Sequence, residues 1–270
     1  MIVPLNGPDN VAYRAARGSL ALPDGNGALI PIQNVDGVPY GLNPGLQALA
    51  PLWSQGVLGV VANTGMLVQP VSRAEFLLNA KPVPTNLFSH SDQIQQMQSG
   101  VPSASGGTGW GGRAVDQVQG LNGAASFPSA VSIAGPALFC KGSVIQSASL
   151  WPGFNLDANG MSLWPQAAAD ARKSSYQQIL QFNSGLELIQ VANHVRQDAV
   201  ALNAMMSGAS AVINTPFPGT GLGQQLQQVA QLIKLRASTG MSRQVFFCSL
   251  GGFDTRGSQS WQHWDLLRQL

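Results

Sequence analysis

Charge is what this chain has least of. Asp, Glu, Lys and Arg supply 10% of its 270 residues, against about a quarter in an ordinary globular domain. The 14 basic residues are scattered rather than gathered into runs, and binding to a phosphate backbone needs such a cluster, so nucleic acid is excluded as a partner. Cysteine is almost absent too. Cys140 and Cys248 could pair only if the fold brings them together, and Cys248, inside the apolar run Val245-Phe246-Phe247-Cys248, reads as a buried thiol. No stretch approaches the roughly 20 apolar residues of a spanning helix, and no basic-then-apolar segment opens the chain. Nucleotide-binding signatures are missing as well. There is no Gly-x-x-x-x-Gly-Lys loop, and Gly219-Thr220-Gly221-Leu222-Gly223 lacks the preceding strand and the spacing of a dinucleotide site.

Apolar residues, in contrast, reach 44%, a normal share for a folding chain. The length suits one large α/β domain over residues 1–270 with a core that needs no disulfide. Met1-Ile2-Val3-Pro4-Leu5-Asn6 reads as the tail of a strand, followed by a Gly/Pro/Asn loop. Periodicity and capping signals predict helices over 44–55, 72–78, 86–98 and 113–118, a long one over 167–206 with a break at Asn183-Ser184-Gly185, and further helices over 221–236 and 261–270. Apolar runs predict strands at 57–62, 130–133, 137–139 and 245–249. The last is uninterrupted, as in a parallel strand covered on both sides. Strands alternating with helices predict a mostly parallel sheet with helices on both faces. Both edges of the chain read as truncations of a larger domain.

Ser249-Leu250-Gly251-Gly252-Phe253-Asp254-Thr255-Arg256 holds the first candidate for chemistry. Ligands gather where strands of an open α/β sheet end, because the loops there vary while the strands hold them. An acid at such a point can ligate a metal through oxygen; it can equally cap a helix or close a turn. Phe88-Ser89-His90-Ser91-Asp92 places hydroxyl, imidazole and carboxylate within five residues. Local adjacency makes no catalytic triad, and Ser89 or Ser91 suits a helix cap, which leaves His90 as the candidate. Thr108-Gly109-Trp110-Gly111-Gly112-Arg113 offers backbone amides and a guanidinium suited to an anion, or else a packed loop anchored by Trp110. His194 reads as structural, and His263 as a packed or exposed helical histidine.

Four stretches in order resemble a bacterial family of exported, uncharacterised proteins allied to the sulfatase and alkaline phosphatase superfamily: Met1–Pro4 with Tyr13-Arg14-Ala15-Ala16-Arg17, Leu42–Leu46 with Gly59–Gly65, Phe88–Asp92 through Thr108–Arg113, and Gly251–Thr255. The resemblance covers nearly all of the chain. It implies a three-layer α/β/α sandwich, alkaline-phosphatase-like, and a periplasmic or secreted protein behind a twin-arginine signal. It also implies a divalent metal site that activates a hydroxyl nucleophile against a phosphate or sulfate ester. On that reading Asp254 is a metal ligand or acceptor, His90 lies nearby and Arg113 receives the anionic oxygens of a small-molecule ester. The departures from the family pattern are equally specific. Its Gly-Gly-Asn-Asp strand and its later Asp-His-Gly motif are absent from this chain, and where it reads Asp-Thr-His this chain has Arg256. A guanidinium stays protonated and cannot ligate a metal. This chain is accordingly expected to be inactive by itself, and the rival reading is an exported scaffold that kept the fold and lost the metal.

Overall fold

The computed structural model describes residues 2–23, 28–33, 37–62, 64–103, 107–125, 127–153, 161–208 and 213–270. In chain order the elements are β1 (Ile2–Pro4), α1 (Gly7–Arg17), β2 (Ile30–Gln33), β3 (Pro39–Leu42), α2 (Ala50–Ser54), α3 (Arg73–Leu77), α4 (His90–Ser99), α5 (Trp110–Val118), β4 (Ala130–Ser132), β5 (Ser147–Ser149), α6 (Gln166–Gln181), α7 (Glu187–Gly208), α8 (Gly221–Lys234), α9 (Arg236–Thr239), β6 (Val245–Phe247) and α10 (Gln259–Leu267). No described helix is long and apolar enough to cross a membrane. The contacts divide the chain into two compact units. One comprises Met1–Val83, Gly219–Gly223 and Ser249–Leu270, the other Pro84–Pro218 and Gln224–Cys248.

In the first unit, β1, β3 and β2 form an antiparallel sheet in that order. The strand expected at the start of the chain is β1, but the sequence pattern does not predict its partners β2 and β3, which are four residues long and contain Pro31 and Pro39, and proline lacks the N–H a ladder needs. The loop expected after residue 6 is instead α1, which Pro8 opens at its first turn. Ile32, Leu42, Leu46 and Leu267 form one buried cluster, so α10 packs against the turn of 3₁₀ helix at Pro44–Leu49. Gly45 permits this approach, since a Cβ there would lie 2.6 Å from the Trp264 carbonyl oxygen. Ser72 caps α3 through a reciprocal capping box with Glu75. The run 57–62, expected as a strand, is not one; Val57 and Val61 are 68% and 83% exposed. An apolar run alone cannot make a strand where no neighbouring edge pairs with it.

The second unit is built on a parallel sheet of order β5–β4–β6. Register pairs Ala130 with Val245, Val131 with Phe246 and Ser132 with Phe247, so strand alternation sorts the side chains onto two faces. Ala130, Val245 and Phe247 pack with Val115 of α5, Cys140 and Ile145. Val131 and Phe246 pack on the other face with Ile133, Leu150, Met241 and Leu232 of α8. Both faces are therefore covered by helix, and the molecule is a mixed α/β protein. The expected strand at 137–139 is a turn of 3₁₀ helix at Leu138–Cys140. The long helical pattern breaks where the Asn-Ser-Gly signal placed it, into α6 and α7.

Cys140 and Cys248 are both unbonded, and the face assignment explains why: Cys140 belongs to the cluster on one side of the sheet and Cys248 to that on the other. Burial pushes the Cys140 thiol up to about 11 and raises Cys248 as well. Thiolate is the reactive form, so in the folded protein at neutral pH both thiols should resist an aromatic disulfide reagent and both should react once urea unfolds the chain. Mass analysis after exposure to oxidised glutathione should find no Cys140–Cys248 bridge.

Asp116 ties α5 to the segment after Cys140, its carboxylate accepting from the backbone N–H groups of Ser143 at 2.7 Å, Ile145 at 2.9 Å and Val144 at 3.2 Å. Burial pushes the carboxyl up, but these three donors outweigh it and hold it below its ordinary value. Its stabilisation is thus complete above the unfolded-state pKa and is lost as pH falls through the lower folded value. Asp116→Asn should cost about 1 kcal/mol at neutral pH, a figure that allows for solvent around the group. Urea titrations should show the gap between variant and parent closing as pH falls below the ordinary aspartate range.

Candidate functional site

The loop after β6 is shaped by Gly252, whose φ of +95° suits only glycine, with the side chain of Leu266 3.4 Å from where a Cβ would stand. The next turn is closed by Thr255 N–H donating to the Phe253 carbonyl at 3.0 Å. Asp254 is exposed, its carboxylate 3.8 Å from the Arg256 guanidinium, itself almost wholly in water. Exposed pairs of this kind contribute little to stability. Their consequence is chemical: a fixed positive charge sits beside the one acid of the loop.

His263 of α10 is a packed helical histidine, as its sequence context predicts. Its Nε2 lies 3.1 Å from the Phe253 carbonyl oxygen, and its ring is 5.7 Å from the Phe253 ring. A carbonyl only accepts, so Nε2 carries the proton whenever this bond is made, and in the neutral ring Nδ1 is the acceptor. A spacing of ten residues separates Phe253 from His263, and the turn of the loop brings the Phe253 carbonyl to the imidazole.

In the second unit, the polar cluster around His90 is a helix start. Ser89 Oγ accepts from the Asp92 N–H at 3.4 Å and lies 3.1 Å from Ser91 Oγ, so the hydroxyls serve the cap. His90 is exposed at the first position of α4. Arg113 is bound into the opposite end of this helix pair. Its Nη2 donates to the Ser99 carbonyl at 2.7 Å, and its Nη1 to the Thr108 carbonyl at 3.0 Å and to Thr108 Oγ1 at 3.1 Å. Ser99 ends α4 and His90 begins it, which separates them by about 13 Å along the axis at 1.5 Å per residue. The structure thus does not bring His90 and Arg113 together, and Asp254 belongs to the other unit.

The glycines ahead of Arg113 have a packing reason. A Cβ on Gly109 would stand 2.0 Å from the Leu138 carbonyl oxygen, and one on Gly112 would stand 2.3 Å from the Lys141 carbonyl carbon. Trp110 meets Phe139 edge-on at 4.6 Å and donates from its indole to the Met97 carbonyl at 3.1 Å. Here the packed loop anchored by Trp110 is the arrangement seen.

The metal implied by the family resemblance finds no adequate donor set around Asp254. The loop offers one carboxylate with a guanidinium beside it and an imidazole engaged by a carbonyl, and the described residues contain no group of three or more His, Cys, Asp or Glu side chains able to hold an ion. What the loop can do by itself is accept a hydrogen bond at Asp254 and attract an anion at Arg256. Comparison with protein-family models, curated proteins and solved structures finds no match to this chain.

Because the Arg113 guanidinium spans three acceptors that a single ammonium cannot reach together, Arg113→Lys should destabilise the protein by about 1–3 kcal/mol. Urea unfolding measures this, and an unchanged midpoint would mean that the guanidinium is at the disposal of a ligand.

Proposed function

We propose that this chain carries the sheet and principal loop of a metal-dependent hydrolase-like protein acting on phosphate or sulfate esters, in an alkaline-phosphatase-like three-layer α/β/α arrangement, exported from the cytoplasm. The observation that supports this most is the position of Asp254. It follows β6, a parallel strand whose pairing with β4 is covered by α5 on one face and α8 on the other, and the carboxyl ends of such strands are where α/β proteins place ligand-binding groups. The ordered resemblance of four segments adds the ester and the metal to that reading; fold kinship by itself does not carry activity.

Among the described residues no group of three or more His, Cys, Asp or Glu side chains could hold an ion, which supports the reading that the 270-residue chain by itself is inactive. Completion would require further oxygen or nitrogen ligands. The ion pair of Arg256 with Asp254 favours a second reading, a non-catalytic exported scaffold, because a fixed cation next to the candidate ligand raises the cost of placing another there.

Two assays separate these. The 270-residue chain, supplied with aryl phosphates and aryl sulfates across magnesium, manganese, calcium and zinc, should show no turnover above buffer, and robust turnover would overturn the claim of an incomplete site. Protein expressed from the whole natural coding sequence should retain stoichiometric divalent metal through gel filtration and hydrolyse one ester class. Asp254→Ala should then lower that rate by about 100-fold or more. Metal-free, inert protein would leave the scaffold reading in its place.

A further inference from the structure

Asn122 uses its whole hydrogen-bonding capacity on the segments that lead into β4 and β6. Its Nδ2 donates to Ser129 Oγ at 3.1 Å and to the Arg243 carbonyl at 2.9 Å, while its Oδ1 accepts from the Ser242 N–H at 3.0 Å and the Arg243 N–H at 2.7 Å. A carboxamide offers two N–H donors and two acceptor positions, so none is left over. The residue is 6% exposed, and the bonds to its oxygen fasten positions 120 and 121 residues away. Directly after it stands Gly123, with φ of +56° and its N–H donating to the Gly120 carbonyl at 3.3 Å.

An asparagine followed by glycine can react with its own backbone, because a residue without a Cβ leaves its nitrogen open to approach. The Gly123 nitrogen, having given its proton to hydroxide, attacks Asn122 Cγ. A C–N bond forms, the Cγ–Nδ2 bond breaks, and Nδ2 leaves as ammonia with a proton from water, which regenerates the hydroxide. Water then opens the cyclic imide at either carbonyl, giving aspartate or isoaspartate. In sum a water is consumed and an ammonia released, with no oxidation or reduction.

From this geometry we propose that Asn122-Gly123 is a self-deamidation site locked by the fold: the native clasp prevents the reaction, and modification during an opening prevents the clasp from closing again. Ring closure turns Cγ toward the Gly123 nitrogen and expels Nδ2, which the four hydrogen bonds of the carboxamide oppose. Burial also keeps hydroxide away. Either product defeats the clasp. Aspartate can still accept from the Ser242 and Arg243 N–H groups, but ionised it has no proton for the Arg243 carbonyl and places a charge where water barely reaches. Isoaspartate in addition lengthens the main chain by a methylene within the 3₁₀ turn at Gln119–Asn122.

Peptide mass analysis of the 270-residue chain, incubated at mildly alkaline pH with and without urea, follows conversion of amide to acid at each Asn-Gly pair. In urea, Asn122 should react at a rate similar to Asn6, which also precedes a glycine. In buffer Asn122 should react at least about 100-fold more slowly than in urea, a factor set by how seldom its segment opens. Asn6, exposed and without a side-chain cap bond, should lose far less of its rate. When chain aged in urea is returned to buffer, the protease-resistant fraction should be depleted of molecules modified at residue 122, and not of those modified at residue 6. Asn122→Asp, the direct product, should lower the urea midpoint or fail to fold; the depletion measurement needs no variant. No reaction at Asn122 in urea, or equal rates there with and without urea, would overturn the lock. Refolded chain as rich in modified residue 122 as the aged mixture would overturn the claim that the product keeps the clasp open.

Discussion

The pairing of β4 with β6 joins residues about 115 positions apart, and most of the second unit is arranged to make that pairing possible. A parallel ladder leaves both of its faces to be covered, and closing so long a loop is entropically costly before any contact repays it. Repayment comes from two layers of apolar side chains set by register: Ala130 with Val245 toward α5, Val131 with Phe246 toward α8. Asn122 adds a polar clasp across the same separation, its side chain donating to the Arg243 carbonyl and accepting from the Ser242 and Arg243 N–H groups just ahead of β6. A buried amide so placed is satisfied on both its donor and acceptor sides, which makes it specific for one register.

The same constraint accounts for the glycine-rich segment before α5. For Val115 to reach the sheet, α5 must lie against the backbone of residues 138–142, and only residues without a Cβ allow that approach at Gly109 and Gly112. Trp110 and Arg113 then fasten the helix to the end of α4. Glycine, tryptophan and arginine in one short run can be read as the parts of an anion site. In this structure the close approach, the edge-on ring contact and three hydrogen bonds give each of them a packing role.

At the Asp254 loop, local and tertiary causes combine differently. The strand that precedes it in sequence and the glycine that turns it are local features, whereas the imidazole of His263 reaches the Phe253 carbonyl because α10 is held against residues 44–49 by Leu46, Leu267 and the gap left by Gly45. The result is a loop that carries an acid beside a guanidinium and a backbone carbonyl met by an imidazole. Its chemistry as it stands is hydrogen bonding and attraction of anions rather than coordination.

The sequence by itself determined the elements whose information is contained in neighbouring residues. These are α3 from its Ser-x-x-Glu cap, α4 from Ser89 and Gly100, the break between α6 and α7 from Asn-Ser-Gly, and β6 from an unbroken apolar run. Helix caps and turns close over three or four residues, so their signals are local. Tertiary structure decided the rest. Residues 57–62 have a strand's composition but pair with no edge in the described chain, while the proline-containing β1, β2 and β3 pair because Val3, Leu29, Ile32 and Leu42 find common cores. The separation of the two thiols, the commitment of Arg113 to three acceptors and the placing of His263 against Phe253 likewise depend on which surfaces meet. A residue's type states what it can bond to; only packing states what is within reach.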